Sequence, residues 1–129
     1  MVRNTKFLNG TIEVELAGAV LPDADPEARG FIGIAFRVNP GDPQKFESFF
    51  IRPTNGRAED QLRRNHCTQY VSIPEYPWNR LRRENPGVYE SYVDLQAAEW
   101  TRAKFFSTQK GELLFIVNNL SNLTTLAND

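Results

Sequence analysis

Two-residue alternation of apolar and polar side chains is the strongest constraint on this chain. In TIEVEL (11–16), Ile12, Val14 and Leu16 fall on one side and Thr11, Glu13 and Glu15 on the other, the period of a half-buried β-strand. FIGIAFRV (31–38) repeats the pattern, with Ile32, Ile34, Phe36 and Val38 sharing a face. FESFFIR (46–52) is bulky on both faces, as in a strand covered on both sides. Turn chemistry separates these runs: NPGDPQ at 39–44, then Pro53 and the TNG turn at 54–56. TRAKFFS (101–107) and ELLFIVNN (112–119), joined by Gln109-Lys110-Gly111, form a predicted hairpin. Short strands with Gly/Pro turns predict an all-β, antiparallel sandwich of jelly-roll type, formed by residues 1–129 as one domain.

At 129 residues the chain can bury a real core. Its net charge of −1 gives no general attraction to nucleic acid or to an anionic membrane. One cysteine, Cys67, excludes an internal disulfide and a cysteine-based zinc site. The first residues alternate polar and apolar and form no secretory leader, so the chain itself reads as cytoplasmic. LLFIV (113–117), the kind of apolar run it offers, is far too short to span a bilayer.

Between the strands lies a long segment, 53–99, that predicts a loop with only short extended pieces at 69–73 and 89–95. Around it, Phe49 to Tyr92 holds seven arginines and no lysine, together with His66, Cys67, Trp78 and all four tyrosines. Arginine interleaved with aromatics suits planar, bidentate recognition of carboxylate, phosphate or sugar hydroxyls. The same guanidiniums can equally hold an irregular loop by bonding its carbonyls, with Glu84, Glu90 and Asp94 as available partners. Single-stranded nucleic acid also favours such interleaving. The absence of lysine from the patch, the slightly acidic chain and the lack of an RNA-binding motif argue against it.

Five phrases carry a family resemblance: FLNGTIEVEL, GFIGIAFRV, FESFFIRPTNGR, NHCTQYVSIPEYPWNRLRRENPGVYESYVDL and EWTRAKF. They resemble a bacterial group within the concanavalin A-like lectin/glucanase superfamily, related to laminin G-like jelly rolls and to the 3-keto-disaccharide hydrolase domain. The resemblance spans residues 7–126. It implies a jelly roll, carbohydrate-associated binding and an exported protein. Its members are longer at both ends, so strands are expected to be missing here. Open sheet edges then imply a homo-oligomer that shares them.

The candidate site residues follow from the strand faces and the loop. Glu13, Glu15 and Arg37 are expected on one polar sheet face, joined by Arg52, as a Glu–Arg ladder or as the floor of a ligand groove. Tyr70, Trp78 and Arg80 complete the ligand-binding candidates, the aromatics as stacking platforms. For cleavage of a glycosidic bond, the candidates are Glu13 and Glu15, two apart on one strand, with His66 as a base. Each has an ordinary structural role available: a solvated strand face for the glutamates, a hydrogen-bonded position for the histidine. Asp23, Asp25 and Glu27 are the candidates for calcium, without a matching ligand loop. Three functional readings stay open: carbohydrate-associated binding, a glycoside-cleaving enzyme, and an assembly domain with no small ligand.

Overall fold

A computed structural model gives the fold and describes residues 5–119. The first strand, β1, runs Gly10–Leu16, followed by β2 at Ile32–Phe36 and β3 at Phe46–Ile51. Next come a 3-10 turn at Pro53–Asn55, the short helix α1 at Gln61–Asn65, and β4 at Thr68–Ile73. Helix α2 covers Trp78–Glu84 and β5 is only Glu90–Ser91, before β6 at Thr101–Ser107 and β7 at Leu113–Asn119. The strands form two antiparallel sheets, β1-β6-β7 and β2-β3-β4-β5, an all-β sandwich.

The alternation sets which faces meet. Ile12, Val14 and Leu16 pair in register with Phe105, Ala103 and Thr101 on the inward face of the three-stranded sheet. Ile32 and Ile34 pair with Ile51 and Phe49 on the inward face of the other. The faces meet through aromatic rings: Phe36 lies 4.4 Å from Phe105, and Phe49 stacks 4.9 Å from Phe115. Ile51, Cys67, Leu95, Ala103 and Val117 form the buried cluster beside them. Burying a side chain such as Phe105, at 0% exposure, contributes about 1.5–3 kcal/mol.

The expected loop over 53–99 contains more structure than its sequence suggests. Asp60 caps α1, its carboxylate accepting the backbone N–H groups of Leu62 and Arg63, each at 3.2 Å. Pro77 sets the extended residue before α2, which buries Leu81. The extended piece expected at 89–95 pairs only over Glu90–Ser91. β2 also stops earlier than its sequence pattern, because Arg37 turns to a left-handed φ of 48°.

The outer face of the four-stranded sheet positions the candidate site. There Gly33, Phe50, Gln69 and Glu90 sit side by side across the four strands. Alternation from Phe50 places Arg52 on this same face. Its backbone N–H bonds Cys67 O at 2.7 Å, continuing the β3–β4 pairing past the end of the strand.

Candidate functional site

Arg52 is only 5% exposed, and its guanidinium holds the centre of this face. Nη1 donates to His66 O at 2.9 Å and to Glu90 Oε1 at 3.3 Å; Nη2 donates to Gln69 Oε1 at 3.0 Å. Three rings surround it, with centroids 5.1 Å (Phe50), 5.8 Å (Phe31) and 6.0 Å (Trp78) away. Burial lowers its pKa to about 10 against the upward pull of Glu90, so it stays charged at neutral pH.

Arg82, projecting from α2, grips the same carboxylate. Its Nε donates to Glu90 Oε2 at 2.9 Å and its Nη2 to Oε1, a bidentate fork. The Arg82 guanidinium also lies 4.7 Å from the Trp78 ring. His66 Nε2 is 3.7 Å from Glu90 Oε2. Desolvation lowers the His66 pKa below 6.5, and Arg82 and Arg52 lower it further against the pull of Glu90, so the imidazole is neutral at pH 7.

Above this cluster opens a cleft of about 440 Å³. Arg52, Arg82, His66, Asn55 and Arg63 supply polar groups, and Phe31 and Trp78 supply apolar wall. Both aromatic residues are substantially open to solvent, at 58% and 46% exposure. An adjoining hollow shares His66 and Arg82 and extends toward Pro86 and Tyr92. The combined surface has aromatic faces beside planar hydrogen-bonding groups, an arrangement suited to a small polar ligand with one apolar side.

Of the five ligand-binding candidates, Arg52 and Trp78 meet in the cleft. The other three lie elsewhere. Arg37 pairs with Glu47 at 2.9 Å on an exposed edge. Tyr70 faces inward, its hydroxyl donating to Glu47 at 2.6 Å and its ring 5.2 Å from Phe49. Burial and that carboxylate hold the Tyr70 phenol well above its ordinary pKa. Arg80 lies 4.6 Å from the Tyr76 ring and binds Glu84 at 3.1 Å and Glu75 O at 2.8 Å.

The expected polar face shared by Glu13, Glu15, Arg37 and Arg52 does not exist. Glu13 and Glu15 belong to the three-stranded sheet, where Glu13 pairs with Lys104 at 3.0 Å and Glu15 with Arg102 at 3.2 Å. They point outward there, while His66 sits over the outer face of the opposite sheet, so the glycosidase candidates do not form one site. Two of the three calcium candidates are engaged locally: Asp25 accepts the Glu27 N–H at 2.7 Å, and Glu27 pairs with Arg29 at 3.2 Å. Among the described residues, no three His, Cys, Asp or Glu side chains come together as a metal site.

The arginines divide between stapling and lining. Arg57 binds Asp94 at 2.9 Å and Gln96 at 2.8 Å, and Arg64 binds the carbonyls of Ala58 and Glu59. Those two, with Arg80 and Arg83, tie the segment to itself, whereas Arg52, Arg63 and Arg82 line the cleft. Sequence reading named Glu90 only as an available partner for the arginines and missed Arg82, Arg63, Asn55 and Phe31 as members of the site. They come from separate elements, and the signal they offered was the preference for arginine in this segment, which marks Arg63 and Arg82.

A second opening of about 510 Å³ separates the sheets on the β5/β7 side, lined in part by Phe49, Tyr89, Leu113 and Phe115. There the inter-sheet space is incompletely closed. No helix among the described residues is long and apolar enough to cross a membrane. Comparison with family models, curated proteins and solved structures finds no match to the chain.

Proposed function

We propose that this domain binds carbohydrate, in the cleft between Trp78, Phe31 and the Arg52–Glu90–Arg82 cluster. The observation that carries the reading is one exposed indole beside a rigid floor of planar donors: Trp78 is 46% exposed, and Arg52 and Arg82 approach its ring at 6.0 and 4.7 Å. A pyranose has an apolar C–H face and a rim of hydroxyls, which complement an aromatic face and fixed hydrogen-bonding groups. The resemblance to concanavalin A-like lectins points the same way, and the sandwich is compatible with it; fold alone does not assign the activity. The test is titration of the protein with a panel of neutral and acidic oligosaccharides at millimolar concentration, followed by Trp fluorescence and amide NMR. Binding that disappears in Trp78→Ala supports the cleft; no response to any sugar overturns the reading.

A second reading, assembly of copies through open sheet edges, draws on the opening between β5 and β7 and on exposed Leu114 and Val88 beside it. A stable monomer by light scattering at high protein concentration would remove it. Hydrolysis by Glu13, Glu15 and His66 acting together has no geometric support.

A further inference from the structure

The charge balance of the cleft bears on the class of ligand it suits. Arg52 and Arg82 share a single carboxylate, Glu90, whose side chain is 2% exposed. Two cations on one anion leave a positive charge beside the cleft, with His66 neutral above it. Arg63 adds another. Its Nε donates to Asn55 Oδ1 at 2.8 Å and its Nη2 to Thr54 Oγ1 at 3.2 Å and Thr54 O at 3.4 Å, all neutral acceptors. Asp60 also lines the cleft and its carboxylate accepts the backbone N–H groups of Leu62 and Arg63 without pairing with a guanidinium, so Arg52, Arg82 and Arg63 face Glu90 and Asp60 with one positive charge in excess. Glu27, on the cleft's rim, is paired with Arg29. No carboxylate among the described residues pairs with Arg63.

Half-buried guanidiniums without a full complement of counter-charge are held at an electrostatic cost that an incoming anion relieves. The relief is larger in a cleft partly shielded from water than on an open surface. We propose that the cleft is selective for an acidic saccharide, its carboxylate or sulfate received by Arg63 and Arg82 while the ring packs on Trp78. This rests on the carbohydrate reading of the same cleft and narrows it from sugars in general to anionic ones. The Nε and Nη2 groups of Arg82 and Arg63 are held by Glu90, Asn55 and Thr54, which fixes both guanidinium planes and leaves the Nη1 side of each to donate to a carboxylate or sulfate oxygen.

The experiment compares galacturonic acid trisaccharide, its neutral galactose counterpart, and sodium acetate and sodium sulfate alone, each titrated calorimetrically at pH 7. The acidic trisaccharide is expected to bind about tenfold or more tighter than the neutral one, as charge-assisted hydrogen bonds exceed neutral ones. The preference should shrink in added salt for the wild-type protein, where no variant's folding enters, and vanish in Arg63→Gln. Arg82→Gln gives a second readout should Arg63→Gln melt early. Equal affinity for acidic and neutral trisaccharide overturns selectivity and leaves the carbohydrate reading standing. Acetate or sulfate binding as tightly as the trisaccharide overturns the saccharide and leaves only an anion site. Response to none of the probes overturns the acidic-saccharide inference, and silence across the wider oligosaccharide panel overturns the carbohydrate reading with it.

Discussion

Arg52 and Glu90, 38 residues apart, meet as an ion pair at 3.3 Å with side chains 6% and 2% exposed. The pair ties the end of β3 to the two-residue strand β5. A β5 this short has few backbone bonds to hold it, pairing only Thr68 with Ser91 and Gln69 with Glu90. Side-chain bonds from Arg52, Arg82 and Gln69 therefore fix the edge and shape the cleft floor in the same act. The side chains that line the cleft also hold its edge together here.

Removing the Glu90 charge should be severe. Glu90→Ala leaves Arg52 and Arg82 buried or half-buried without their shared partner. Loss of one member of a buried pair costs about 3–5 kcal/mol. Urea denaturation should show the midpoint falling by that equivalent, with Glu90→Gln intermediate because it still accepts a hydrogen bond. A loss below about 1 kcal/mol, the range of a surface pair, would contradict the burial.

Glu13 and Glu15 should behave in the opposite way. Both sit on an exposed sheet face in cross-strand pairs with Lys104 and Arg102. Glu13→Gln and Glu15→Gln should each change stability by less than about 1 kcal/mol. Neither lines the cleft, so sugar affinity by calorimetry should be unchanged. A large loss of binding in either variant would relocate the site.

Alternation made β1 and β2 legible because one side chain in two faces a core, while β3 was legible from its bulk on both faces and β6 and β7 from the turn at Gln109-Lys110-Gly111. The helices were not legible. α1 and α2 have five and seven residues, too few for a 3.6-residue period to emerge. α2 carries one buried apolar residue, Leu81, amid arginines. The site was half legible: Arg52 and Trp78 could be named from residue type. Glu90 was named from residue type as one of three carboxylates available to the arginines, but that it meets Arg52 and Arg82 depends on the β4–β5 register, a non-local pairing. Tyr70 and Arg37 were misplaced because residue chemistry says nothing about which sheet face a side chain occupies.

Cys67 should be chemically silent in the native protein. The thiol is 0% exposed, contacts Arg52 O at 3.8 Å, and burial raises its pKa to about 11. The thiolate is the reactive form, and little exists at pH 8. Ellman's reagent should give no colour with folded protein at pH 8 and one equivalent in denaturant. Rapid reaction of the native protein would mean that the core around Ile51 and Leu95 opens readily.

Acid should loosen the cleft through His66. Its folded pKa lies below the ordinary 6.5, with desolvation the main cause and the Arg82 and Arg52 charges adding to it against Glu90. The unfolded state therefore binds the proton more readily than the folded state. The neutral imidazole's contribution is complete above about 6.5 and is lost as pH falls through the lower folded value. Asp60 and Glu90, the acids facing it, favour the proton, while the two arginines oppose it. The imidazole Cε1 proton should titrate by NMR with a midpoint below 6.5. His66→Gln should lose less thermal stability than wild type between pH 7 and pH 5. A midpoint above 6.5 would mean that Glu90 outweighs desolvation and the arginines together, and would reverse the sign of the effect.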